Sequence, residues 1–555
     1  MIFYYNLLAL HPPKMSLKNM MATMWMTMSC RRATQGTHVV QRNTHMRSPL
    51  PLAFLLVSLG GFSTKWSVAH AMSTTTTADT TDTTTTRRIL SSFNPATGEL
   101  LGELPMATPE DIVQAVSKAH VAQKQWAKKR LSERVSLVTQ AYQSLVQSND
   151  SGSFQMGMAQ LLSMEMGKDL QRATGEVVVC IESGPFIAQE VAEALQPISL
   201  TEGATQHFVP LGVVGVISPW NYPLEMANNL ILPALIAGNT VILKPSEQTP
   251  LVANEFFGRI RQALPESVLT VIHGDGQVGQ WLVDNKQIQM IAFTGSLATG
   301  RDIMKRSANT IKRLVMELGG NDPMIVLHDA DLDLAARLAV EIGFENSGQM
   351  CTSIERIYVD ASIASEFESK VTQYARDHYE NKVGPWNQPN VEIGPIINTK
   401  QHAKIVEHIV DAEQKGGRFL VGSSQQQVPY ITPTIISGMT QEMKLEQEET
   451  FGPVIGISKF TNVQEAIDRA NDSVFGLGAI VVGYQGAHDV AHALEAGMVG
   501  INQGQGGFGP WVGAKQSGFG YHGTQDGHRQ FAQIKIIAKA EPDDDDFEEE
   551  EEEDA

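Results

Sequence analysis

Cysteine is nearly missing from this chain: Cys30, Cys180 and Cys351 are the three thiols in 555 residues. So few, so widely spaced, they exclude a disulfide framework. With no CxxC or paired Cys/His cluster they offer no zinc site either, and no metal is expected. Basic patches interleaved with aromatics are absent, which argues against nucleic acid as a partner. The apolar stretch Leu50 to Phe62 falls short of the about 20 residues that a spanning helix needs, so no stable membrane span is expected. Acid is missing from residues 1–78, which nevertheless carry Lys14, Lys18, Arg31, Arg32, Arg42, Arg47 and Lys65.

That acid-free, basic, Ser/Thr-bearing composition is what import-directed segments have, because they must approach negatively charged membranes. Two targeting readings stand side by side. Residues 15–47, with Arg31-Arg32, resemble a mitochondrial presequence. Residues 46–71 read as a secretory signal, with Arg47 first, an apolar core at Leu50 to Phe62 and Ala69-His70-Ala71 as a cleavage site. A plastid route or another route through the secretory pathway fits the second reading. A cytoplasmic enzyme follows if the extension is a start-site artefact. The Thr-rich run Ser73 to Thr86 reads as an unstructured spacer.

What is present fits a globular α/β enzyme of two or more domains: 42% hydrophobic residues, 47 glycines and a chain long enough for large cores. The net charge of −19 belongs largely to a tail. Asp543–Asp546, Glu548–Glu553 and Asp554 supply eleven negative charges, and −8 remains without them. Such a block reads as a solvated tail, with binding to a basic partner as the other option.

From Ser92 the pattern is regular. Phe93 to Leu101 reads as a hairpin, and Thr108-Pro109-Glu110-Asp111 as a capped helix start. Amphipathic helices continue to about residue 193. Apolar runs at Leu211–Ser218, Thr240–Leu243, Val268–Ile272 and Met290–Phe293, separated by helices, read as buried parallel strands of βαβ units. A second such series runs from Pro323 to about residue 503.

Cys351 stands in the polar turn Gly348-Gln349-Met350-Cys351-Thr352-Ser353, between a helix-like and a strand-like run. A lone cysteine is usually a small buried hydrophobe; on a loop between elements it can instead be reactive. Four segments bear on that choice. Pro219-Trp220-Asn221-Tyr222-Pro223 places Asn221 at a strand's carboxyl end, where α/β proteins bind ligands; a structural turn Asn is the alternative. Lys244-Pro245-Ser246-Glu247 can hold ribose hydroxyls or be a surface ion pair. Phe293-Thr294-Gly295-Ser296 through Gly300 can bring backbone N–H groups and a helix N-terminus to a pyrophosphate, a weak signal by itself. Glu317-Leu318-Gly319-Gly320 offers a base in a cleft, or a strand-end charge.

In this order these segments resemble the NAD(P)-dependent aldehyde dehydrogenase superfamily, as does the 34-residue separation of Glu317 and Cys351. Glu448-Glu449-Thr450-Phe451-Gly452-Pro453, Asn471 to Leu477 and Lys515-Gln516-Ser517-Gly518-Phe519-Gly520 resemble further motifs of that family. The likeness covers roughly residues 92–540. It implies an α/β fold with a Rossmann-like cofactor domain (89–195 and 211–318), an α/β catalytic domain (319–526) and a β oligomerisation arm (196–210 and 527–540). Residues 1–88 and 541–555 flank these as targeting extension and acidic tail.

The resemblance further implies Cys351 as nucleophile, Asn221 as oxyanion donor and Glu317 as the base that activates water. An aldehyde is then oxidised to the acid through a thioester. Ser218, Trp220, Lys244, Glu247, Gly276, Gly295, Ser296, Glu449 and Phe451 are implied to hold the cofactor. A carboxylate at Glu247 would bond a free 2′-hydroxyl and repel a 2′-phosphate, so NAD is expected over NADP. Homodimers or homotetramers are expected. Alternatives are a semialdehyde dehydrogenase using NADP, a coenzyme A-acylating relative, which Glu317 disfavours, and a catalytically silent structural member. The substrate motifs look somewhat like the betaine- and amino-aldehyde branch. Three positions depart from the family: Asn321 where Lys is common, Val512 where Gly is usual, and Tyr521-His522 where Arg-Glu is usual. All three are expected to lie away from the chemical core.

Overall fold

The computed structural model describes residues 87–146, 151–507 and 509–539. The targeting readings and the acidic tail lie outside the described residues.

The chain enters through a hairpin of Ile89–Phe93 on Leu100–Pro105. The helix Pro109–Trp126 then starts where its sequence sets it. Thr108 Oγ1 accepts from Asp111 N at 3.2 Å, and Asp111 accepts from Thr108 N at 2.9 Å, so two orphan donors are satisfied reciprocally. Its buried residues, Ile112, Val116, Ala119 and Trp126, recur at helical spacing. Three more helices follow, ending at Ala194.

A six-stranded sheet comes next. Its spatial order is Gly518–Phe519, Arg313–Glu317, Ile288–Thr294, Val213–Ile217, Thr240–Lys244, Leu269–Val271. All pairs are parallel except the one made by Gly518–Phe519. Both faces are covered, which explains the near-continuous apolar strands. Val214, Val216, Val241 and Leu243 enter one core, while Val213, Ile217 and Ile242 enter another. Val213–Ile217 lies between a strand that follows it and one that comes much later. Strand order therefore reverses beside it, creating the crevice in which open α/β sheets bind ligands.

The second sheet has seven strands: Arg418–Val421, Thr434–Ser437, Val454–Phe460, Ile354–Asp360, Asp322–Val326, Gly478–Val482, Met498–Ile501. Only the first pair is antiparallel. Its strands likewise alternate between two cores, with Met324 and Val326 in one and Ile325 and Leu327 in the other. A third sheet joins Ile198–Thr201, Ala204–Pro210 and Ala532–Ala538 in antiparallel order. The architecture is thus a Rossmann-like sheet beside a second α/β sheet, with a small β arm.

Gly518–Phe519 falls within the stretch that the sequence division gives to the second domain. It nevertheless pairs with Met316–Glu317 of the first sheet, Gly518 opposite Glu317. Among the described residues no helix is long and apolar enough to cross a membrane, and no group of three or more His, Cys, Asp or Glu could hold a metal ion.

Candidate active site

The loop before Cys351 is strained. Asn346, Ser347 and Gly348 have φ of 51°, 59° and 67°, three successive left-handed residues. Two of them are not glycine, and each such conformation costs on the order of 1–3 kcal/mol. Hydrogen bonds hold them there. Ser347 Oγ donates to Gly394 O at 3.2 Å and accepts from Gly394 N at 2.9 Å. Asn346 Nδ2 donates to Gln349 O at 3.1 Å and to Asn221 O at 3.2 Å. Gly348 is dictated by space as well as by φ: a Cβ there would lie 2.0 Å from Gly452 O.

Cys351 emerges from this turn half-buried. Burial pushes its thiol well above the ordinary range, and the carboxylates of Glu317, Asp322 and Glu449 push it the same way. Asn221, buried in the turn after Val213–Ile217, donates from Nδ2 to Gln349 O at 3.0 Å. The two loops are thereby stitched together. The Glu317-Leu318-Gly319-Gly320 segment completes the cluster, since a Cβ on Gly320 would sit 2.4 Å from Cys351 O. Glu317 is 3% exposed and ends its strand. Its Oε2 accepts from Thr294 Oγ1 at 3.1 Å. Its Oε1 touches His522 Nε2, out of line for an aligned hydrogen bond.

That contact corrects one expectation. His522 does not lie away from the chemical core; it rests on the candidate base. The antiparallel pairing of Gly518–Phe519 with Met316–Glu317 folds the next turn back, so His522 lands on the carboxylate. Asn321 is also central. Its Nδ2 donates to Glu355 Oε2 at 2.9 Å and reaches the carbonyls of Leu445 and Glu448.

The residues assigned to the cofactor gather at the carboxyl ends of the first sheet and on the facing loop. Lys244 is buried, donates from Nζ to Pro245 O at 3.2 Å and lies 3.7 Å from Glu247 Oε2. Burial lowers its pKa while Glu247 and Asp275 resist. Gly276 opens the helix Gly276–Asp284, capped by Asp275. Ser296, directly after Gly295, caps the helix Leu297–Ser307. Ser218 Oγ is buried and has no hydrogen-bond partner. Across the crevice, Trp220 and Phe451 meet edge to face, ring centroids 5.5 Å apart. Glu449 accepts from Gly320 N at 3.0 Å; burial, aided by Glu355, raises its carboxyl to about 7. An orphaned hydroxyl, a buried ammonium and two capped helix N-termini match the hydroxyl and phosphate chemistry of a dinucleotide.

Sequence reasoning missed Glu355, Thr294 and His522. Glu355 is buried and accepts from Thr450 N at 2.8 Å and Phe451 N at 2.8 Å, fixing the facing loop. Its signal was a charged pair, Glu355-Arg356, inside an apolar strand, which demands buried partners. Thr294 gave no local signal, and His522 stood out only as a departure from the family pattern.

Two mostly parallel sheets thus meet at a loop thiol with a carboxylate and an amide beside it, within an α/β enzyme fold. Residues 81–537 match the Aldehyde dehydrogenase family model, and the chain belongs to that family. It is an oxidoreductase that acts on aldehydes with a nicotinamide cofactor. A probable NADP(+) succinate-semialdehyde dehydrogenase of Sinorhizobium fredii is 37% identical over 466 residues, covering 81% of this chain and 93% of its own. The chloroplastic aminoaldehyde dehydrogenase ALDH10A8 of Arabidopsis thaliana is also 37% identical, covering 80% and 91%. The crystal structure of an aldehyde dehydrogenase from Brucella melitensis biovar abortus superposes with a TM-score of 0.77 at 34% identity, covering 82% of this chain and 94% of that one.

Proposed function

We propose that this chain oxidises an aldehyde to its carboxylic acid through a thioester on Cys351, hydrolysed by water that Glu317 activates. The observation that carries this reading is the stitching of three distant segments into one site. Asn221 is bonded to the residue two before Cys351, and Gly320, three after Glu317, packs on the Cys351 carbonyl.

Each residue has a chemical task. Cys351 as thiolate bonds to the aldehyde carbon, turning the carbonyl oxygen into an oxyanion. The Asn221 amide spends one N–H on Gln349 O and leaves its second for that oxygen, together with the Cys351 backbone N–H. Removing one such donor costs about 10²–10³-fold in rate. Bound nicotinamide dinucleotide supplies the two-electron acceptor for the carbon. Lys244 and Glu247 would hold its adenosine ribose, with Ser218 and Trp220 beside them. Gly276, Gly295 and Ser296 would lie against its adenine and pyrophosphate, and Glu449 and Phe451 against its other ribose. Glu317 then takes a proton from water as the water attacks the thioester, and the thiol is regenerated.

The Glu247 carboxylate favours NAD, because it would repel a 2′-phosphate. A second reading, an NADP-linked semialdehyde dehydrogenase, draws on the Sinorhizobium relative. The Arabidopsis relative supports an aminoaldehyde and an organellar location. A panel of aliphatic, aromatic, amino- and semialdehydes with each dinucleotide separates these. Cys351→Ala should abolish dinucleotide reduction and acyl-enzyme formation by intact mass; undiminished turnover sinks the mechanism.

A further inference from the structure

Thr294 Oγ1 donates to one oxygen of Glu317, and His522 Nε2 lies against the other, which has no hydrogen-bond partner; both side chains of the Glu317–His522 pair are at most 5% exposed. A buried carboxylate here has unfavourable company. Glu449 and Asp322 press on the same cysteine from the same cluster. A carboxylate that must accept a proton from water has to be ionised at the working pH, which burial opposes unless donors face it. Thr294 is one neutral donor. His522 is the only basic side chain that the described structure places on Glu317.

The groups facing His522 are two acids and a second imidazole. Glu317 touches Nε2 from the strand Arg313–Glu317. Glu225, 2% exposed at the start of the helix Glu225–Ile236, lies within electrostatic reach and carries an oxygen without a hydrogen-bond partner. His528, on the short helix Thr524–Arg529, is the one basic neighbour, and burial with His522 beside it holds its pKa down to about 4, leaving it neutral. The carboxylate of Glu317, the carboxyl of Glu225, which burial raises, and a neutral imidazole surround the ring.

We propose that His522 is the positioning residue of Glu317: its ring, packed on the carboxylate oxygen that Thr294 leaves free, fixes the carboxylate where it can serve as the water-activating base. The inference rests on the Cys351–Glu317 reading above. Its expected signature falls on thioester hydrolysis and spares acylation.

The test needs no dinucleotide, because p-nitrophenyl acetate acylates a thiolate directly. Release of nitrophenolate reports acylation, and loss of the acetyl group from the intact protein by mass reports hydrolysis. His522→Leu should be acetylated at the parent's rate and to the parent's stoichiometry. Its hydrolysis should slow by about 10–100-fold. His522→Gln, which retains an N–H donor, should stay within a few-fold of the parent. A loss in His522→Leu that falls equally on acylation and hydrolysis, no loss at all, or a Gln variant as slow as Leu overturns the proposal. A parent protein that forms no acetyl-enzyme on Cys351 at any pH up to 9 overturns the thiol reading, and this inference with it.

Discussion

At the scale of residues, the site is organised around an uncooperative thiol. Cys351 is raised by burial first and then by three carboxylates, so the apo form holds it protonated at neutral pH. Only the thiolate attacks. Alkylation of Cys351 by iodoacetamide in the absence of dinucleotide should therefore be slow at pH 7, at least about 10-fold slower than for a free thiol with its pKa near 8.5. It should climb only above that value. Glu317→Gln, which removes the largest of the three charges acting on the thiol, should speed it at pH 7. Peptide mass mapping against time at several pH values checks both. A rate already at its plateau by pH 7 contradicts this environment. Cys351, Asn221 and Glu317 were legible because each sits at the end of an apolar run, in a turn with its own signal. His522 was not, because what places it is the pairing of Gly518 with Glu317, a contact 201 residues long in sequence.

At the scale of elements, the same distinction recurs. The hairpin, the Thr108 cap and the strands of the first sheet follow from local periodicity and turn chemistry, and a reader of the sequence could place them. The pins between elements do not follow. Glu165, wholly buried, accepts from Ser92 Oγ at 2.6 Å, Leu251 N at 2.8 Å and Val252 N at 2.8 Å. It thereby caps the helix Pro250–Gln262, whose own cap residue, Thr249, makes no side-chain bond. It also ties that helix to the entry hairpin. Burial raises its carboxyl from 4.5 to about 7 against the pull of those donors. Between those values the folded chain holds a proton that the unfolded chain has released, so this group's contribution to stability falls as pH rises through that window. Glu165→Ala should cost roughly 2–4 kcal/mol near pH 5, at about 1 kcal/mol for each lost bond. The cost should be smaller at pH 8, where the parent no longer has that proton. Urea midpoints of parent and variant at the two pH values measure it; a cost that grows with pH contradicts the assignment.

At the scale of the whole molecule, the arm sheet is the feature that a single chain leaves unfinished. Its strand Ala532–Ala538 is exposed along six of its seven residues, although it alternates with isoleucine. Ile534 and Ile536 share one face and are each 51% exposed; Leu200, on the strand Ile198–Thr201, is 49% exposed. Leaving aliphatic side chains in water forfeits on the order of 1.5–3 kcal/mol for each one that a partner could bury. A strand of this kind offers both an apolar face and unpaired backbone groups to a second copy. The oligomer expected from the family likeness would bury this face. An Ile534→Asp, Ile536→Asp double variant should shift the particle mass in light scattering from a multiple of the 60.6 kDa chain toward the chain itself. The helices and two large sheets should survive, because neither isoleucine belongs to their cores. Retention of the parent mass by a folded double variant would place the interface elsewhere. A parent that is already monomeric would remove the arm's role altogether.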